Sequence, residues 1–144
     1  MRQDWIVSLL LILVLAGPWG ITIIHALTPQ WTPEQIVQSQ LDALQRNDMA
    51  GVYKYASPAN KERTGSLDRF DAMVRSGPYR YLLGHQRNVM LLTSTTPVAW
   101  VTLVRIVPKT EDEKDVLEYW WSLSRCTTGE YSGCYMVDAV IPHL

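Results

Sequence analysis

The sequence predicts an α+β domain, with helices first, a strand meander second, and an apolar segment ahead of both. Three observations carry this. Residues 34–75 place apolar side chains at helical spacing, residues 85–141 place them at strand spacing, and Trp5 to Leu27 are almost uniformly apolar. A chain of 144 residues has room for one such domain. Helices followed by a meander imply a curved antiparallel sheet holding an N-terminal helix in its concavity.

The boundaries fall at 1–27 for an N-terminal transmembrane anchor, 28–33 for a linker and 34–144 for the domain. No Asp, Glu, Lys or Arg lies between Asp4 and Glu34. About 20 helical residues cross a hydrocarbon core of about 30 Å, so residues 5–27 are long enough to contact lipid throughout. Pro18, within "GPWG", predicts a kink near Ala16–Gly17, which membrane helices tolerate. The competing reading is a secretory signal cleaved after Ala26, leaving a secreted or lumenal domain. Against it stand the single early cation Arg2, the acidic Asp4 and an apolar run that continues past Pro18. Arg2 and the amino terminus favour an N-inside arrangement, with the domain on the trans side. Trp5, Trp19 and Trp31 are placed to mark interfaces or a partner groove.

"LTPQWTP" is a stiff connector, and Thr32-Pro33-Glu34-Gln35 is a helix start with a capping-box pattern. Ile36, Val37, Leu41 and Leu44 share one face of that helix, while Gln38, Asp42 and Gln45 face away. "RND" ends it, and Asp48 caps a short helix carrying Met49, Val52 and Tyr53. Another helix starts at Ser66, with Phe70, Met73 and Val74 forming a buried stripe, and stops at "SGP", Ser76 to Pro78.

Strand spacing then takes over. His85–Thr93 is the first candidate. Val98–Val107 follows between Pro97 and Pro108, with Val98, Trp100, Thr102, Val104 and Ile106 alternating against Ala99, Val101, Leu103 and Arg105. In Val116–Arg125, Leu117, Tyr119, Trp121 and Leu123 share a face; the fourth strand spans Cys134 to Ile141.

Charge and motif content exclude several function classes. A formal net charge of −1 with no basic stripe argues against nucleic-acid binding. "KTEDEKD" mixes signs and reads as a solvated turn. His25 and His143 are isolated and no zinc-type Cys/His spacing exists, so no metal and no cofactor is expected. There is no phosphate-cradling glycine loop and no Gly-x-Ser-x-Gly elbow. Six Trp and seven Tyr against one Phe fit either interfaces or a β-rich core.

The run "QLDALQRNDMAGVYKYASPANKERTG", the later "FDAMVR" and "GPYRY", and "GCYMVDAV" near the end resemble the DUF4864 family of small proteins of unknown function. The resemblance covers about Glu34 to Val140, not the anchor. It implies an NTF2-like cone and no established activity, so it transfers no catalytic residue. It also implies a photosynthetic lineage, which makes a thylakoid complex one host, beside another organelle or a bacterial inner membrane.

Such cones often enclose a pocket, and some use a His–Asp pair for proton transfer. The matching candidates are Asp138, His85, Tyr119 and Trp121. A carboxylate buried beside aromatics acquires a raised pKa and can act as a base. Yet Asp138 alternates with Met136 and Val140 and equally fits a bulge, a pair with Arg105 or Arg125, or solvent. No second catalytic group is fixed, so no enzyme is expected.

Cys126 and Cys134 bracket "TTGEYSG". On adjacent strands they approach disulfide distance, roughly 4.4–6.8 Å between Cα atoms. Closing so short a loop adds about 2 kcal/mol by chain entropy. Two unpaired, half-buried thiols are the alternative, and the family's "GC" element implies that Cys134 can occur alone. In "YASPANKERTG", Ser57 starts a turn and Pro58 a short helical turn, leaving Asn60, Lys61 and Arg63 exposed for partner contact. The expected function is therefore a non-catalytic, membrane-anchored accessory subunit or assembly factor of a membrane complex. A cone that binds or transforms a small apolar molecule is the alternative.

Overall fold

The computed structural model describes residues 31–109 and 116–143. The segment read as an anchor, with Trp5 and Trp19, lies outside the described residues. Among those described, no helix is long and apolar enough to cross a membrane.

Four helices come first: α1 (Pro33–Gln45), α2 (Met49–Lys54), α3 (Pro58–Thr64) and α4 (Leu67–Val74), then a 3₁₀ turn, Gly77–Leu82. Each α-helix opens on a side chain that accepts one of its orphan amides. Thr32 makes the full capping box with Gln35, and Asp48, Ser57 and Ser66 accept from the amides of Gly51, Asn60 and Arg69. A Cβ added at Gly51 would sit 2.4 Å from Asp48 Oδ2, so any larger residue there obliges the capping carboxylate to shift. The expected turn after Pro58 is a seven-residue helix, ended by Gly65 at a φ of 84°.

Strands β1 (Arg87–Thr95), β2 (Trp100–Val107), β3 (Leu117–Arg125) and β4 (Tyr135–His143) form one antiparallel sheet in the order β1-β2-β3-β4. The helices pack on one face of it, giving an α+β architecture with two layers. Trp100, Val104 and Ile106 of β2, Tyr119, Trp121 and Leu123 of β3, and Val137 of β4 meet Ile36, Val37, Leu41 and Leu44 of α1 in a single core. The strand alternation read from the sequence groups the β2 residues and the β3 residues of this core on one face each, although Val98, grouped with the β2 set, is exposed.

A polar relay runs through that core. Trp121 Nε1 donates to Gln40 Oε1 at 2.7 Å, and Gln40 Nε2 donates to the Val52 carbonyl at 3.0 Å. One buried amide thus ties the sheet to α1 and α2 and leaves neither the indole N–H nor that carbonyl unpaired.

Candidate functional site

Strand β4 is a sheet edge, and edges expose unpaired backbone groups. Its register shifts between Ser122, opposite Ala139, and Leu123, opposite Val137, which leaves Asp138 as the extra residue of a bulge. The connection from α2 to α3 binds there. Val137 N donates to Tyr55 O and Ser57 N donates to Val137 O, both at 2.8 Å, around a parallel bridge between Ala56 and Val137. Three side chains complete the cover: Asn60 Nδ2 donates to Val137 O at 3.1 Å, Arg63 Nη2 to Asp138 O, and Tyr79 Oη to Val140 O at 3.1 Å. "YASPAN" and "GCYMVDAV", two of the segments that carried the resemblance, are therefore the two halves of one contact.

Beyond this contact, the four helices, the 3₁₀ turn and β4 line a cleft of about 240 Å³. Leu44, Val52, Phe70 and Leu82 make it apolar inside, while Arg63, Thr64 and Asp138 stand among its polar wall residues. This is a small version of a typical ligand site, apolar with a few convergent polar groups.

Of the four residues expected to form a pocket, Asp138 alone lines this cleft. Tyr119 is 1% exposed and donates to the Pro78 carbonyl at 2.7 Å. Trp121 is committed to Gln40. His85, also 1% exposed, donates from Nδ1 to Leu82 O at 2.7 Å and accepts at Nε2 from Asn88 at 2.8 Å, which defines the neutral Nδ1–H tautomer. The structure brings no His–Asp pair together in the cleft. Among the described residues, no group of three His, Cys, Asp or Glu side chains could hold a metal.

The residues expected at a partner contact divide. Trp31 is half exposed, its ring 6.1 Å from that of Tyr55. Arg63 is exposed, whereas Asn60 is buried in the β4 contact. Lys61 is half-buried, its ammonium 5.1 Å from the Tyr53 ring and 5.7 Å from the Tyr131 ring. Cys126 and Cys134 are free and half-buried at the end of the β3–β4 hairpin. Burial pushes the Cys126 thiol above its ordinary value, and the Asp138 carboxylate and Cys134 add to the rise, against an opposing pull from Lys61.

Sequence reasoning missed the sheet face opposite the helices. The register places Leu92 opposite Leu103, Leu103 opposite Trp120 and Trp120 opposite Ile141. These four side chains form an apolar row across the whole sheet. Leu103 within the row is 6% exposed, but Leu92 and Ile141 at its ends are 60% and 55% exposed. It is flanked on one side by the row Val89, Arg105, Glu118 and His143, and on the other by the row Ser94, Val101, Ser122 and Ala139. Arg105 and Glu118 already pair at 2.7 Å, so the face presents no unanswered charge there. The signal was available as the second set in the β2 alternation, Val101 and Leu103, which is apolar where a solvated face would be polar.

No curated protein and no solved structure matches this chain. The profile of one family, described as a domain of unknown function (DUF4864), matches residues 27–140, from the last residue of the apolar segment to within the final strand. On that match, which spans most of the 144 residues, the chain belongs to the DUF4864 family.

Proposed function

We propose that this chain is a non-catalytic accessory subunit or assembly factor of a membrane protein complex, tethered through residues 5–27 and docked through the outer face of its sheet. The observation that carries this reading is the apolar row Leu92–Leu103–Trp120–Ile141 on the face away from the helices. Its occupant is a membrane-proximal, apolar surface of an integral subunit. Two arguments select it. The linker 28–33, fully extended, reaches at most about 20 Å, so the domain stays close to the bilayer. A four-stranded face about 19 Å wide and about 25 Å long buries on the order of 1,000 Å² counted over both partners. That is the lower bound for a specific interface, and tethering supplies the effective concentration it lacks. The commitment of His85, Tyr119 and Trp121 to internal hydrogen bonds supports a role without catalysis. In this reading the two layers are an NTF2-like cone, and a thylakoid, another organelle or a bacterial inner membrane is the host.

The test is extraction of the tagged full chain in mild detergent, compared with the double variant Leu92→Glu and Ile141→Glu. The wild type is expected to co-purify with an integral membrane polypeptide, and the variant to lose it while keeping its thermal transition. A wild type that elutes as a lone monomer or as a homodimer overturns the reading.

The cleft favours a second reading, in which the domain binds a small apolar molecule with one anionic group near Arg63. Octanoate is a suitable probe. It should shift the amides of Val137 to Ile141, several-fold more weakly in Arg63→Gln. Unchanged amides in the wild type remove this reading.

A further inference from the structure

The β3–β4 hairpin holds a pair of thiols that the docking proposal does not use. The ladder between the strands runs to Arg125 opposite Tyr135, so the next pair outward is Cys126 opposite Cys134. The backbone confirms the juxtaposition: Cys126 N donates to Cys134 O at 2.9 Å, and Gly133 N donates to Cys126 O at 2.7 Å. Cys126 thus faces Gly133 and Cys134 together, a glycine bulge whose second residue is Cys134, one step beyond the last regular pair of the ladder. The turn between them is held by its own bonds, Cys134 N to Tyr131 O at 2.9 Å and Ser132 N to Gly129 O at 3.1 Å. Gly129 and Gly133 take φ values of 76° and 86° there, which lets seven residues close without pulling the strands apart. The fold thus sets the two cysteines across from each other at the end of the hairpin.

We propose that Cys126 and Cys134 are a two-electron redox pair, converted to an intramolecular cross-strand disulfide by exchange with a low-molecular-mass or protein disulfide. One cysteine, as its thiolate, attacks a sulfur of the oxidant and expels one oxidant thiolate, leaving a mixed disulfide. The second cysteine gives up its proton, attacks the chain's own sulfur in that mixed disulfide and expels the other oxidant thiolate. The two expelled thiolates take up the two protons. One S–S bond is broken and one formed, so the chain loses two electrons and the oxidant gains them. The product ties the turn 127–133, where Tyr131 meets Lys61 of α3, to the strand that carries the Asp138 bulge. Oxidation therefore stiffens the corner at which α3 is fastened to β4.

The experiment equilibrates the full chain, in mild detergent, with oxidised and reduced glutathione at graded ratios, then alkylates and digests with trypsin. No Lys or Arg follows Arg125, so both cysteines fall in one peptide, 126–144. That peptide is expected to pass from doubly alkylated to unalkylated and two hydrogens lighter, with no intermediate of mixed adducts accumulating. Cys126→Ser and Cys134→Ser should each retain a glutathione adduct on the remaining thiol. Amide exchange across 127–133 should slow about tenfold on oxidation. A wild-type peptide that stays doubly alkylated at every ratio, carries glutathione on both cysteines, or links two chains overturns the proposal.

Discussion

Gln40 occupies a helix position that polarity alone would send to solvent, yet it is 3% exposed and pairs with both Trp121 and Val52. Its place in the series 36, 37, 40, 41, 44 was the available signal, since those positions form one stripe. Polarity hid it, because a partner 81 residues away cannot be read from a local pattern. Gln40→Ala strands a buried indole N–H, leaves the Val52 carbonyl with the Tyr55 amide alone, and opens a void. Denaturant unfolding of the full chain should show a loss of about 2–4 kcal/mol, and a loss below about 1 kcal/mol would contradict the relay. His85 illustrates the opposite error of inference. A histidine at a strand mouth reads as chemistry, whereas here both ring nitrogens fasten the turn into β1. Cys126 adds a dependence on pH. Its folded pKa is raised, so its contribution to stability is complete below the ordinary value of 9.0 and is lost as pH rises through the folded value. In the reduced chain, unfolding followed from neutral to alkaline pH should therefore decline more steeply for wild type than for Cys126→Ser. Parallel curves would remove that contribution.

Among elements, the helices were legible where their causes are local. The caps Thr32, Asp48 and Ser66 and the apolar stripes lie within a few residues of what they organise. Strand alternation was legible for the same reason, and the observed ends differ from the expected ones by two residues at most. The first strand starts at Arg87 instead of His85, because His85 is spent on Leu82 and Asn88. The bulge at Asp138 was not fixed, since it depends on how β4 registers against β3. Nor was the burial of Asn60, since that depends on where α3 meets the bulge. Asn60→Ala leaves the Val137 carbonyl with one donor fewer and should cost about 1–3 kcal/mol, measured by chemical denaturation. Glu62→Ala, on the exposed side of the same helix, should cost less than about 0.5 kcal/mol. Equal effects at the two positions would mean that α3 is not fastened to β4 in this way.

At the scale of the whole molecule, one sheet face builds the core and the other carries an apolar row whose ends, Leu92 and Ile141, are exposed. The sequence contained both sets of alternating residues. Only the register aligned Leu92, Leu103, Trp120 and Ile141 into a surface, and a cross-strand register is a property of four segments together. The tether and this face make a joint prediction: intact mass analysis of the native protein should find residues 5–27 retained, and a mass beginning at Leu27 would assign a cleaved signal instead. Docking itself is tested most directly by position-resolved photo-crosslinking in native membranes. A photoreactive residue at Ile141 or Leu92 should yield an adduct with an integral membrane subunit, and one at Glu62 on α3 should not. Adducts of equal yield from Glu62, adducts to a second copy of the chain, or none from Ile141 and Leu92 would contradict the account.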